Sequence, residues 1–440
     1  MTESVTPVIR RVGQNVAFET AIRVGLSMAA RLLLGYLSGL PPTAISVNAA
    51  VAFFLTAVLE VPTGMVADIY GKFVSVRLGY ACQFLACLSI FGAIAVYPAS
   101  PAAMWALIVV EGVLDALGNC FLSGAREAAF QSIMEARTRE MAPSDRAALL
   151  RRYLSLADAH GRLVLALFPL VVLATVLVLH RVGGGHYGML LIAAGWVAID
   201  RQFRGLAKHA VDSRAATAQT LGAWSTAASE SWRGLVASAG LRAVVACCFV
   251  NRFIFITVSC YASLAVLKDG ALWPAGTPIF PVLCMTALLL VGRLARSMVL
   301  PKLADRFSNE STMLLGATLQ CVLSGIMLRS SQMTGVSAIF YLSLTIGVYD
   351  VIVGMIERPA MGLILSEVPD GIRATFLSGV SAMVFLAQAV YSVRLTLTGI
   401  GTPGMSEIWS LVLIGGIFMA ALMSARILRL ARQAQVVSAE

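Results

Sequence analysis

Runs of about 20 apolar residues, each long enough to cross the hydrocarbon core of a bilayer, follow one another along the chain from residue 18 to residue 428. No water-soluble core needs so many. The runs are continuous and do not alternate with polar residues, which disfavours an outer-membrane barrel. In lipid the backbone polar groups must be satisfied within each segment, so the runs read as α-helices. They fall at 18–40, 46–66, 75–97, 102–124, 154–179 and 185–200, and again at 239–264, 278–300, 311–329, 333–356, 374–397 and 406–428. Asp, Glu, Lys and Arg make up 13% of the residues, where a soluble domain carries about 25%. A soluble enzyme, a disordered chain and a DNA-binding protein are thereby excluded. The expectation is an all-α polytopic membrane protein.

The formal net charge of +10 is unevenly placed. Basic residues gather in alternate connections: Lys72 and Arg77; Arg137, Arg139, Arg146, Arg151 and Arg152; Arg201, Arg204, Lys208 and Arg214; Lys302 and Arg306; Arg358 and Arg373; Arg426, Arg429 and Arg432. The intervening connections hold little beyond Arg181, Lys268 and Arg329. That is positive-inside asymmetry, and it places both termini in the cytoplasm. Anionic lipids, not nucleic acid, are the expected partners of the basic loops. The first 20 residues are too polar for a cleavable signal sequence, so the first span is expected to remain. The eight cysteines lie in or beside apolar runs without metal or disulfide spacing, and the four histidines are scattered. No metal and no cofactor is expected. Trp105, Trp273 and Trp409 suit an outer interfacial belt.

Residues 201–238 form the longest polar stretch. They divide the chain into a bundle at 1–200, a cytoplasmic linker at 201–238 and a second bundle at 239–440. An internal echo supports duplication: GMVADIYGK at 64–72 follows the second span, and PKLADRFSN at 301–309 follows the eighth. Repeated six-span halves are the architecture of secondary transporters. No Walker motif is present, which argues against ATP-driven transport by this chain alone.

Charged residues inside spans are costly and face a bundle interior or a wet cavity. Glu111 and Asp115 lie four apart on one helical face, continued by Asn119. Two like carboxylates one turn apart favour proton binding on at least one of them, as proton coupling requires. Asp158 and Arg162 are also four apart, and Asp350 and Glu357 seven apart. Arg31 and Arg252 occupy equivalent spans of the two halves and suit an anionic or zwitterionic solute if both point inward. Structural ion pairing is the alternative, and it is the preferred reading for Arg162, Arg293, Arg296 and Glu357.

The segment LEVPTGMVADIYGKFVSVRLG at 59–79 resembles the signature loop between helices 2 and 3 of the major facilitator superfamily. Glu60, Pro62, Thr63 and Gly64 match the E-[IV]-P-T-G lead of one bacterial branch, while Ile69 and Phe73 stand where basic residues are usual. SGAREAAFQSI at 123–133, with Glu127, and ERPAMGLILSEVPDGIRATFLSG at 357–379 resemble the end of helix 4 and the helix 10–11 connection. The resemblance implies twelve transmembrane helices in two pseudo-symmetric six-helix bundles. It also implies a gating role for Glu60, Gly64, Asp68, Gly71, Lys72, Asp305, Arg306 and Arg373, with Asp68 in a cytoplasmic latch. The glycine-rich antiporter pattern of helix 5 and the arginine motif of helix 4 are missing.

The expected function is alternating-access transport of a small amphiphilic or charged organic molecule across a bacterial inner membrane. The expected form is a proton-coupled monomer and an exporter, with Arg31, Glu111, Asp115, Asp158, Arg252 and Asp350 in the substrate or coupling network. Import of a metabolite or siderophore is one alternative. A membrane enzyme, sensor or assembly protein on the same fold is the other.

Overall fold

The computed structural model describes residues 6–20, 22, 42–97, 99–142, 178, 187–208, 225–226, 229, 232–233, 238–268, 279–330, 336–368, 373–397 and 405–439. The elements are α-helices: α1 (Thr6–Thr20), α2 (Pro42–Tyr70), α3 (Lys72–Val96), α4 (Pro101–Leu122), α5 (Ala125–Arg137), α6 (Gly188–Ala207), α7 (Ala239–Lys268), α8 (Ile279–Arg306), α9 (Asn309–Ser330), α10 (Val336–Glu367), α11 (Arg373–Leu397) and α12 (Met405–Ala439). Among the described residues, seven helical segments are long and apolar enough to cross a membrane. Ten of the expected spans coincide with α2–α4 and α6–α12. The fifth span and most of the first lie outside the described residues, as does most of the 201–238 linker.

Local chemistry sets the helix borders. Pro101 opens α4, where its missing N–H costs nothing, and the Ser100 hydroxyl accepts the Ala103 amide. Ser238 and Ser308 cap α7 and α9 in the same way. Gly71 (φ 109°) turns the chain between α2 and α3, and Gly124 (φ 68°) between α4 and α5. Both backbones lie in the region that side chains disfavour. Pro62 sits inside α2 and removes one helical donor. Beside it the Thr63 hydroxyl bonds the carbonyls of Leu59 (3.0 Å) and Glu60 (2.9 Å).

The helices form two compact units. The first is Met1–Ser229 together with Asp370–Val393; the second is Glu230–Pro369 with Arg394–Glu440. In the first, α3 packs on α4, α5 and α6, and α2 packs on α4. An aromatic cluster joins α3, α5 and α6. Tyr80 meets Trp196 (5.9 Å) and stands edge-on to Phe203 (5.8 Å), which also meets Phe130 (6.0 Å) and Phe73 (5.8 Å). The polar start of the chain is itself helical. Val8, Ile9, Val12, Asn15, Val16 and Glu19 make one buried face of α1, at the three- and four-residue spacing of an amphipathic helix.

In the second unit α10 packs on α7, α8 and α9, and α12 packs on α7 and α9. Gln320 of α9 donates to the Val412 carbonyl of α12 (3.0 Å), and Asn251 of α7 to the Val353 carbonyl of α10 (3.3 Å). Trp409 does not sit in an interfacial belt. It is buried and edge-on to Tyr349. Arg426 of α12 gathers Glu310 of α9 (3.2 Å) and Glu367 of α10 (3.7 Å), and its guanidinium lies over Gly240 of α7. Elsewhere, apolar side chains such as Val58, Leu85, Val322 and Ile414 are exposed on the helices, as a lipid-facing surface requires.

α8 and α10 touch backbone to backbone at Gly292 and Gly347, where a Cβ on Gly292 would collide with the Gly347 carbonyl. Gly292→Ala is expected to destabilise the fold by about 1–3 kcal/mol, the usual cost of overpacking. The check is thermal unfolding of the purified protein. Gly325→Ala, at a position with no atom within 4 Å, serves as the control and should not lower the melting temperature.

Candidate functional site

The loop that carries the sequence signature ends in a specific contact. Asp68, on the last turn of α2, accepts two hydrogen bonds from Thr375 at the start of α11. One comes from the backbone N–H (2.9 Å) and one from the hydroxyl (2.6 Å). A carboxylate suits the exposed amides of a helix N-terminus. Lys72 stands in electrostatic range of Asp68. One turn earlier on α2, Gly64 lies so close to α11 that a Cβ there would be 2.9 Å from Ser378 and from the Thr375 backbone. The α4–α5 junction joins the same face of α11. Ser123 and Ser381 share a hydrogen bond (3.1 Å), the Ser378 hydroxyl donates to the Ser123 carbonyl (3.4 Å), and Gly124 lies against the Ala374 carbonyl. Arg373, at the start of α11, pairs with Glu135 of α5 (3.5 Å). Phe53 and Phe385 stack at 6.1 Å further along α2 and α11.

The acidic face of α4 is built as its spacing requires. Asp115 accepts from the Gln83 amide of α3 (3.2 Å) on one oxygen and from Asn119 (3.1 Å) on the other. Gly118 leaves the space that the Gln83 side chain fills. Glu111, one turn away, is fully buried, as is Glu60 on α2. The Cys120 thiol donates to the Thr56 carbonyl (3.5 Å) and neighbours Glu60. The packed helices α2, α3 and α4 thus carry three carboxylates and two amides among their partly or fully buried residues.

A second charged centre joins α1, α3 and α5. Arg126 bonds Glu19 (2.5 Å) and Glu127, and the Tyr80 hydroxyl donates to Glu19 (3.2 Å). Glu127 carried the resemblance in the sequence. The partnership with Glu19 had no local signal, because it joins residues 107 positions apart.

In the second unit, Arg252 of α7, Arg296 of α8, and Asp350 and Glu357 of α10 form one network. Glu357 is shared by Arg252 (3.5 Å) and Arg296 (3.5 Å), and Arg296 reaches Asp350 at 3.9 Å. The seven-residue spacing on α10 puts both acids beside Arg296, whose stem crosses Gly354 between them. Arg296 and Glu357 pair with each other in one network with Arg252 and Asp350. Asp305 and Arg306 close α8 at an exposed end. Arg31 and Asp158 lie outside the described residues. Among the described residues, no group of three or more His, Cys, Asp or Glu side chains is placed to hold a metal ion.

No family model and no curated protein matches the chain. Solved structures do. A bacterial homologue of the iron transporter ferroportin, in an outward-facing state, matches with TM-score 0.66 at 14% identity, over 97% of this chain and 99% of that one. The proton:xylose symporter XylE, bound to 6-bromo-6-deoxy-D-glucose, matches with TM-score 0.62 at 14% identity, over 96% and 95%. The transporter FucP, in an outward conformation, matches with TM-score 0.58 at 13% identity, over 96% and 97%. The likeness establishes the fold. The chain is a polytopic helical membrane protein with the architecture of major facilitator superfamily transporters.

Two expected outcomes test the ties described above. In a double-mutant cycle of Asp68→Ala and Thr375→Val, the coupling read from thermal unfolding should be about 1.5–3 kcal/mol, as for a hydrogen bond to a carboxylate. Arg126→Met, which leaves Glu19 buried without its guanidinium, should cost about 3–5 kcal/mol. That loss would appear as a large fall in melting temperature, and Glu19→Gln in the same chain should recover part of it.

Proposed function

We propose that this chain is a secondary active transporter that moves a small charged or amphiphilic organic molecule by alternating access. The observation that carries the reading is the tie between the end of α2 and the start of α11. It consists of small residues in close approach and one carboxylate on a helix start, a contact made mostly by hydrogen bonds and shape that can part and re-form. In this reading the 1–200 and 239–440 bundles rock against each other, with Asp68, Gly64, Gly71, Lys72, Glu60 and Arg373 serving the gate. Asp305 and Arg306 take the corresponding place in the second half.

The energy source in this reading is the proton gradient. Asp115 is the proton-bearing group, with Glu111 beside it, Arg31 and Asp158 completing the first-half network, and Arg252 and Asp350 that of the second. Both oxygens of Asp115 meet amide donors, which can follow a change of protonation by turning. XylE is described as a proton:xylose symporter and FucP as a fucose:proton symporter, which supports proton coupling on this fold. Export is the favoured direction, from a bacterial inner membrane with both termini in the cytoplasm, by a monomer. Anionic lipids contact the basic loops.

The test is uptake and efflux in proteoliposomes with charged metabolites and amphiphiles, with and without an imposed pH gradient. The expected outcome is counterflow stimulated by one solute class, and gradient-driven accumulation that Asp115→Asn abolishes while exchange persists. Unchanged coupling in Asp115→Asn would refute its role. Absence of any flux would favour a non-transporting membrane enzyme, sensor or assembly protein.

A further inference from the structure

We infer that the interior of the second unit binds water, held where Asn251 of α7, Gln320 of α9 and Tyr349 of α10 gather around Trp409 of α12. The site is independent of the transport reading, because it rests on the packing of one unit alone.

Topology comes first. α10 and α12 each pack on both α7 and α9, so these four helices enclose a common interior, the place where bundles build their binding sites. Contacts fix one layer within it. The Asn251 amide donates to the Val353 carbonyl (3.3 Å), and Val353 is one turn from Tyr349 on α10. The Gln320 amide donates to the Val412 carbonyl (3.0 Å). On α12, Val412 lies one turn from Trp409, whose ring stands edge-on to Tyr349 at 6.4 Å. Two adjacent glycines of α12 set the same level. Gly415 lies against Val250 and Ile254, to either side of Asn251, and Gly416 lies against Cys321, next to Gln320. One side chain from each of four helices is buried in this layer. Asn251 and Gln320 are 0% exposed, and Tyr349 and Trp409 are 1% exposed.

Hydrogen bonding comes second. Asn251 Oδ1, Gln320 Oε1 and Tyr349 Oη have no partner among the described residues. Nearby buried hydroxyls are spent on their own helices: Thr257 on the Phe253 carbonyl, Ser324 on that of Gln320 and Thr345 on that of Tyr341. A buried polar atom left dry costs more than its hydrogen bond would return, and native interiors satisfy such atoms with protein or ordered water. The set asks for donors at two amide oxygens and offers one phenolic O–H. Water supplies two donors and an acceptor, and buried water makes about three hydrogen bonds. A cation would arrive without a counter-charge, since Asp350, next to Tyr349, turns to Arg296 of α8. An anion would face the negative ends of two amide carbonyls. The first unit shows the same residue types satisfied by protein. Asn15 donates to the Ile199 carbonyl (3.4 Å), as Asn251 does to that of Val353, and its oxygen takes the hydroxyl of Tyr80 (3.5 Å), whose ring meets Trp196. In the second unit water stands between amide and phenol.

The test is hydroxyl-radical labelling of the purified protein in detergent micelles, where radiolysis of a bound water modifies the side chains it touches. Tyr349 should be labelled although it is buried, and several times faster than Met313 of α9 and Met423 of α12. Both methionines are 0% exposed, and thioethers oxidise readily once water reaches them. Labelling of Tyr349 should fall in Asn251→Leu and in Gln320→Leu. A variant that unfolds would label both methionines, so misfolding reads differently, and the wild-type and Tyr349→Phe arms then decide. Tyr349→Phe keeps the ring and should lower the melting temperature by about 1–3 °C, because a bonded hydroxyl is lost; removing a dry hydroxyl would raise it. Exchange of sodium chloride for choline chloride should alter neither readout. The inference is overturned if Tyr349 labels no faster than the two methionines, or if labelling is unchanged in both folded amide variants. It is overturned as well if Tyr349→Phe melts at the same or a higher temperature. Sodium-dependent melting that is present in the wild type and lost in Tyr349→Phe would assign the place to a cation and overturn it too. Each of these results leaves the transport reading where it stands.

Discussion

A charged side chain inside a bilayer is tolerable only where another helix supplies its partner. Charge pairing between helices recurs in both units. Arg126 is the point at which α1 and α5 are tied, through Glu19. Arg296 ties α8 to α10. Arg426 binds the ends of α9 and α10 to α12. Greasy surfaces alone do not hold helices together in lipid, because the tails are as apolar as the side chains. The ion pairs and close glycine crossings therefore carry the specificity of packing.

The contact of α2 and α5 with α11 is of another kind. Its members are Gly64, Ser123, Gly124, Thr375, Ser378 and Ser381, with Asp68 as the principal acceptor. Small side chains permit close approach, and hydroxyls and backbone groups supply the hydrogen bonds. Arg373 with Glu135 adds an ion pair there. The ties at Arg126, Arg296 and Arg426 are made with charge, and this one mostly with hydrogen bonds and shape.

Much of this was legible in the sequence, because lipid imposes a simple code. The runs of apolar residues located ten helices within a few residues at most borders. The spacing of Asp350 and Glu357 correctly foretold a shared face. Asp68 was marked by its motif. Long-range choices were not legible. Nothing local says that Thr375, 307 positions away, is the partner, or that the first part of α11 packs with the first unit. α1 was missed because Asn15 and Glu19 occupy its buried face and blur the apolar period. Trp409 was misplaced because a Trp near a helix start looks the same whether it meets lipid headgroups or, as here, the ring of Tyr349.

Pro62 gives α2 an uneven stiffness. The ring withholds the amide that would hold the Val58 carbonyl, and the Thr63 hydroxyl braces the neighbouring carbonyls of Leu59 and Glu60. Bending is therefore easier at this joint than along the rest of α2. The two turns from Thr63 to Tyr70 work as a short lever hung on a longer, lipid-bathed post. Any displacement of the Asp68 end would therefore be taken up by a few residues beside Pro62 and not by the whole of α2.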